Sequence, residues 1–205
     1  MANESHIEAD LVIPVPDSGV PAAIGYAEAS DTPFELGIIR NHYVGRTFIE
    51  PTQTIRAFSV KLKHNANRIL VDKKRVILID DSIVRGTTSI KIVQMMREAG
   101  ATEVHMRIAA PPIRHPDFYG IDTPVQDQLL AANNSLEEMC DFIGADSLAF
   151  LTVDGLYKAM GHKNGRDNDN PAYTDHCFTG DYPTQLQDQK NDEKIQQLSL
   201  LSERR

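Results

Sequence analysis

Asp80 and Asp81 stand side by side at the end of an apolar run, Val76-Ile-Leu-Ile79, and are followed by Ser82-Ile-Val-Arg-Gly-Thr-Thr-Ser89. Adjacent carboxylates suit hydroxyl groups or a hard divalent cation such as Mg²⁺, which takes oxygen ligands and keeps several waters. They repel a phosphate. The residues after them have the opposite character: small hydroxyl side chains, Thr87, Thr88 and Ser89, run into a helix start, where free backbone N–H groups hold anions. A ligand with a phosphate at one end and hydroxyls in its middle fits both halves, and a sugar phosphate is the simplest such molecule. A second turn, Val15-Pro-Asp-Ser-Gly19, has the same strand-to-helix setting. Its glycine permits an unusual backbone angle and a close approach to a ligand.

These turns act together only if strands of one sheet carry them to the same edge. Arg75–Asp80 is a near-continuous apolar stretch, the pattern of a strand buried on both faces of a parallel sheet. Further strands are expected at Asp10–Val15, reached with no preceding helix, and at Glu35–Ile39, Glu103–Ala109 and Ser147–Leu151. Helices are expected at Val20–Ala29 and at Thr87–Ala99, the latter with Ile90, Val93, Met96 and Ala99 on its buried face and Gly100 as its stop. Asn134-Ser135-Leu-Glu-Glu138 reads as a cap with an acidic first turn opening a helix to Phe142. Another helix is expected from Thr152 to Met160. Strands alternating with helices predict an α/β fold, a mostly parallel central sheet flanked by helices. Ligands of such sheets bind at the carboxyl ends of the strands, where both turns lie.

The chain has 205 residues, 21 lysines and arginines against 29 aspartates and glutamates, and a formal charge of −8. An acidic balance argues against a protein that coats nucleic acid. Hydrophobic residues at 41% and charged residues at 24% fit a packed domain. Two cysteines, Cys140 and Cys177, are too few for a disulfide framework. No apolar run approaches the ~20 residues needed to span a bilayer. A cytoplasmic protein without a membrane partner is expected. The cations Arg40, Arg46, Arg56, Lys61, Lys63, Arg68, Lys73 and Lys74 crowd one aperiodic stretch, as an anionic substrate would require. A core over residues 1–162 is expected, followed by an irregular polar extension and tail over 163–205, helical at Glu193–Leu201.

The Asp80–Ser89 segment resembles the phosphoribosyl pyrophosphate (PRPP) motif of type I phosphoribosyltransferases, and Pro16-Asp-Ser-Gly19 resembles the pyrophosphate loop of one subfamily. Gly37-Ile-Ile-Arg-Asn-His-Tyr-Val-Gly-Arg-Thr-Phe-Ile49, Ala110-Pro-Pro-Ile-Arg-His-Pro-Asp-Phe-Tyr-Gly-Ile-Asp122 and Cys177-Phe-Thr-Gly-Asp-Tyr-Pro183 narrow the likeness to the amidophosphoribosyltransferase family, over about Ala9 to Leu186. The resemblance implies the type I phosphoribosyltransferase fold. It also implies the first step of purine synthesis, in which ammonia attacks C1 of PRPP and pyrophosphate leaves with Mg²⁺. It assigns substrate binding to Asp17, Ser18, Gly19, Asp80, Asp81, Ser82, Val84, Arg85, Gly86, Thr87 and Thr88, the metal to Ser18, Asp80 and Asp81, and catalytic positions in a closing loop to Tyr43, Arg46 and Lys63. It further implies a homo-oligomer inhibited by purine nucleotides.

Two departures accompany the likeness. Some members hold an iron–sulfur cluster through cysteines; at two of the matching places stand Asp117 and Thr174, with Cys177 alone kept, so no cluster is expected. His176 and Cys177, adjacent and without a partner in sequence, read as a weak metal pair. The family's enzymes begin with a glutaminase domain whose N-terminal cysteine is the nucleophile, and no cysteine precedes Cys140 here. The expectation is therefore a C-terminal portion of such an enzyme, using ammonia and not glutamine. Two alternatives stay open: a PRPP-sensing module without catalysis, and an inactive fragment.

Overall fold

The structure is a computed structural model describing residues 1–41, 64–123 and 125–184. Its centre is a four-stranded sheet, every neighbouring pair parallel: β1 (Leu11–Pro14), then β4 (Arg75–Asp80), β5 (Glu103–Ile108) and β6 (Ser147–Phe150). The apolar run of β4 lies between β1 and β5 with Val76 to Ile79 fully buried, as its unbroken hydrophobicity demands. Alternation along the strands divides the core. Ile13, Val76, Leu78, Val104 and Met106 face one side; Val12, Ile77 and Ile79 face the other. Each such fully buried aliphatic side chain contributes about 1.5–3 kcal/mol.

The first side is covered by α4 (Thr87–Glu98) and α6 (Leu136–Ile143), the second by α1 (Ala2–Ser5) and α2 (Val20–Ser30). The buried stripe of α4 is Ser89, Ile92, Val93 and Met96, so Ile90, expected inside, is only half-buried. Gly100, at φ +103°, ends that helix as expected. In α6 the Ser135 hydroxyl accepts from the Glu138 amide while the Glu138 carboxylate accepts from the Ser135 amide, the reciprocal cap that the sequence foreshadows. The turn α1 corrects the expectation of a strand with no helix before it. It is anchored from outside: Glu4 accepts from the Thr152 amide at 3.0 Å and hydroxyl at 2.8 Å, and the Ser5 carbonyl accepts from Arg107 Nε at 2.7 Å. Thr152 opens α7 (Val153–Ala159).

The second expected strand is also corrected. Phe34 makes only an isolated parallel bridge to Val12. Gly37 then crosses Ile13 so closely that an added Cβ would lie 2.5 Å from its Cδ1. The chain thus leaves the sheet, and β2 (Ile38–Arg40) pairs antiparallel with β3 (His64–Ala66) in a separate two-stranded sheet. A one-turn helix, α3 (Arg68–Val71), follows within the stretch read as aperiodic. Lys73 and Lys74 lead into the amino end of β4, one strand length, roughly 17–20 Å, from Asp80. They stand at the wrong edge to meet a ligand at the strand ends.

On the α1–α2 face of β5 the alternation places polar residues where β4 has Ile77 and Ile79. Glu103 accepts from Arg75 Nε at 2.8 Å and hydrogen-bonds His105 at 2.9 Å; His105 and Arg107 both meet the Ser147 hydroxyl at 3.0 Å. Burial lowers the pKa of His105 below the usual imidazole value. The row is tolerated because its members satisfy one another.

The extension after α7 is packed onto the domain. Asp175, 4% exposed, accepts from Tyr157 at 2.7 Å, Arg166 at 2.6 Å and Thr179 at 3.0 Å, and it precedes α8 (His176–Thr179). Burial alone raises the Asp175 carboxyl, but those hydrogen bonds outweigh it and hold the pKa below its ordinary value. Residues 185–205, with the helix expected at Glu193–Leu201, lie outside the described residues.

Candidate active site

The turns after β1 and β4 meet at one edge of the sheet. The Val15 amide donates to the Ile79 carbonyl at 2.8 Å, which holds the first turn against the end of β4. Gly19 has φ −73°, an ordinary helical value, so the expectation of an unusual backbone angle is corrected. It is required for another reason: a Cβ there would lie 2.3 Å from the Ile79 carbonyl oxygen and 2.8 Å from that of Val15. Its close approach is to the protein's own backbone. The Pro16–Asp17 peptide is cis.

Between the turns lies a cleft of about 400 Å³ bordered by Ser18, Asp80, Asp81, Ser82, Val84, Arg85, Gly86, Thr87 and Thr88, with Ile83 and Ser89 beneath. Nine of the eleven residues assigned to substrate binding line it. Of the other two, Gly19 is buried under the turn, and Asp17 points its carboxylate at Arg40 of β2 in an ion pair. Tyr43, Arg46 and Lys63 lie outside the described residues.

Burial at the strand end sets the electrostatics. Asp80 is 7% exposed, and desolvation, reinforced by the neighbouring Asp81 carboxylate, raises its pKa from the ordinary 3.8 to about 7. The Asp81 amide donates to Asp80 Oδ1 at 2.9 Å, and the Ser82 amide to Asp81 Oδ1 at 2.7 Å, so both carboxylates are oriented by local backbone. A buried carboxylate beside a second one is stabilised by an arriving cation. The donors are hard oxygens, the set Mg²⁺ prefers. The opposite wall is the start of α4. Gly86 takes the left-handed conformation, φ +73°, and no side chain caps the helix, which leaves its first amides to an anion. Ser89 borders the cleft but is 3% exposed and belongs to the buried stripe, so its hydroxyl is less available than those of Thr87 and Thr88, both exposed.

One residue from outside both turns also borders the cleft. His64, buried, arrives because β3 pairs with β2 and sets it opposite Arg40. No motif or periodicity marks it; only the pairing brings it there.

Elsewhere the fold gives His176 and Cys177 the partner that sequence spacing withholds. Asp117, His176 and Cys177 have ligand atoms within 4.8 Å of one another. In the structure they form a hydrogen-bonded staple: Asp117 meets His176 Nε2 at 2.8 Å and accepts from the amides of Tyr119 and Ile121 at 2.9 and 2.7 Å. The Tyr119 and Tyr182 rings pack on His176, tying α8 to the 114–121 loop. Cys140 is half-buried, and its thiol donates to the Ala145 carbonyl at 3.2 Å.

The end of β4 carries a carboxylate pair and an uncapped, hydroxyl-rich helix start, and the turn after the adjacent β1 closes on them, an arrangement suited to a sugar phosphate. The chain belongs to the phosphoribosyl transferase domain family, whose profile matches residues 2–114. Within it, the chain is 63% identical over 203 residues to the amidophosphoribosyltransferase of Rhizobium etli, covering 98% of this chain and 41% of that protein. It is 56% identical over 186 residues to the amidophosphoribosyltransferase of Bacillus subtilis, covering 91% and 39%. The solved glutamine PRPP amidotransferase of Bacillus subtilis, complexed with ADP and GMP, superposes with a TM-score of 0.79 at 56% identity, over 90% of this chain and 40% of that one. The chain thus spans about two fifths of the length of the relatives it matches, and it matches their phosphoribosyltransferase portion. Among the described residues no helix is long and apolar enough to cross a membrane.

Proposed function

We propose that this chain is the phosphoribosyltransferase part of an amidophosphoribosyltransferase, transferring the 5-phosphoribosyl group of PRPP to ammonia. In that reaction the nitrogen lone pair forms the bond to C1 as the C1–O bond to pyrophosphate breaks, and the ammonium product loses a proton. The observation that carries the reading is the cleft itself, with Asp80 and Asp81 on one wall and the open start of α4 on the other.

Each wall has a task. The amides of residues 83–88 and the hydroxyls of Thr87 and Thr88 take the 5-phosphate, helped by the charge of Arg85. Asp80 and Asp81 accept hydrogen bonds from the ribose hydroxyls. The amides of Asp17 and Ser18 receive the pyrophosphate, and the pairing of Asp17 with Arg40 removes a negative charge from its path. Tyr43, Arg46 and Lys63 complete the closed site on this reading. Asp80, Asp81 and Ser18 would hold Mg²⁺. That ion, when bound, neutralises charge on the departing pyrophosphate. The chain's own contribution is positioning and a field suited to positive charge developing on the ribose, with no protein nucleophile. Purine nucleotides, present in the solved relative, are proposed as regulators of this chain too.

The test mixes the protein with PRPP, Mg²⁺ and ammonium and follows pyrophosphate release. Release that needs ammonium and is lost in Asp81→Asn is expected. PRPP binding without release would instead identify a sensing module, and absence of binding would overturn the reading.

A further inference from the structure

The turn that follows the 114–123 loop has no role in the sequence motifs, yet it grips the phosphate loop. Gln126–Gln128 forms a short 3₁₀ turn leading into α5 (Leu130–Asn133). The Gln128 side-chain oxygen accepts from both Nε and Nη2 of Arg85, at 3.2 and 3.0 Å. Two residues on, the Leu130 amide donates to the Val84 carbonyl at 2.9 Å. The Leu130 side chain also lies against Gly86, where an added Cβ would stand 2.8 Å from its Cδ2. Three consecutive loop residues, Val84, Arg85 and Gly86, are therefore held by one short segment.

That segment is itself stiff. Asn133 Nδ2 lies 3.1, 3.2 and 2.9 Å from the carbonyls of Gln126, Asp127 and Leu129, so one amide group closes the whole turn beneath Gln128. Asn133 thus holds the backbone on either side of Gln128, whose exposed side chain carries the acceptor offered to Arg85. Because both Nε and Nη2 are committed, the plane of the guanidinium is set, and Nη1 is left with no hydrogen bond among the described residues.

We propose that Gln128 is a positioning residue of this site: it fixes Arg85 edge-on so that the guanidinium meets a phosphate group in the cleft already oriented. This rests on the reading of the 82–88 loop as the 5-phosphate subsite. Gln128 touches no reacting atom, and the subsite is remote from C1. Its loss therefore weakens ground and transition state alike, raising KM without changing kcat.

The experiment measures calorimetric affinity for ribose 5-phosphate and for PRPP with Mg²⁺, together with kcat and KM, in the wild-type chain, Gln128→Ala, Arg85→Ala, the double variant and Gln128→Glu. Removing the shared acceptor of both Arg85 hydrogen bonds is expected to weaken both ligands about 3- to 10-fold in Gln128→Ala, with kcat unchanged. Arg85→Ala should weaken them at least as much, and the double variant no further than Arg85→Ala. Gln128→Glu keeps an acceptor at the same reach but brings a carboxylate that neutralises Arg85 and repels a phosphate, so it should bind both ligands no better than Gln128→Ala. Wild-type binding unaltered in Gln128→Ala overturns the proposal, as do additive effects in the double variant or wild-type affinity in Gln128→Glu. Failure of the wild-type chain to bind either ligand overturns the subsite reading, and the proposal with it.

Discussion

Replacing Asp80 with asparagine should stabilise the ligand-free protein while destroying its affinity for PRPP, and the stabilisation should grow with pH. In the fold the Asp80 carboxyl titrates at about 7 against an ordinary value of 3.8. Between those values the folded state holds a proton that the unfolded state has lost, so stability falls as pH rises through the window and levels off above 7. The difference, about three pKa units at 1.36 kcal/mol each, is roughly 4 kcal/mol once the carboxylate is fully ionised. At pH 5 only roughly 1.5 kcal/mol of it is expressed. Asparagine never ionises, and its carbonyl can still accept from the Asp81 amide. The advantage of Asp80→Asn should therefore widen by roughly 3 kcal/mol from pH 5 to pH 8, about 6–12 °C in Tm for a chain of this size. Thermal melts of both proteins in chelator-containing buffer at a series of pH values read this directly, because titrating groups remote from Asp80 cancel in the comparison. Parallel Tm curves would refute the claim that burial of this carboxylate is what the site offsets with a cation. In the wild type the same titration predicts Mg²⁺-dependent PRPP affinity falling about tenfold per pH unit below 7, as protons compete for the carboxylate.

Gly19→Ala should destabilise the chain by about 2–3 kcal/mol despite its ordinary φ, because the new methyl meets two backbone carbonyls that cannot move independently; urea unfolding measures the loss, and a neutral result would deny that β1 and β4 are locked at this edge. Asp175→Asn strips a carboxylate from the 9%-exposed Arg166 and should cost about 3 kcal/mol, with faster proteolysis across residues 163–184. Since the Asp175 pKa is lowered, the stability it contributes is present above the ordinary carboxylate value and lost as pH falls through the folded one, so the variant should show a flatter acid limb in pH-dependent melts.

The parts of the site that lie in one stretch of chain were legible. Asp80 through Thr88 carries its chemistry and its strand–turn–helix setting within nine residues, and the capping of α6 is likewise local, written in Ser135 and Glu138. The limits of that reading appear where a residue's neighbours come from elsewhere. Gly19 looked like a ligand contact because a glycine in a turn invites that inference; the carbonyl of Ile79, sixty residues on, is what excludes a side chain. Lys73 and Lys74 looked like substrate cations by composition, and the direction of β4 puts them at the far edge.

Residue types and short-range spacing therefore determined which chemistry the chain carries: a carboxylate pair for hydroxyls and a cation, an anion-binding helix start, and strands apolar enough to be buried. Both depend on local backbone geometry and on hydrophobicity, which a linear sequence contains. Only the tertiary structure decided who meets whom. The register of β1 on β4 brought the two turns together, the pairing of β2 with β3 delivered His64, and the 126–133 turn was set against Val84, Arg85 and Gly86. The raised pKa of Asp80 belongs to the same category, because desolvation is a property of what surrounds a carboxylate and not of the residue itself.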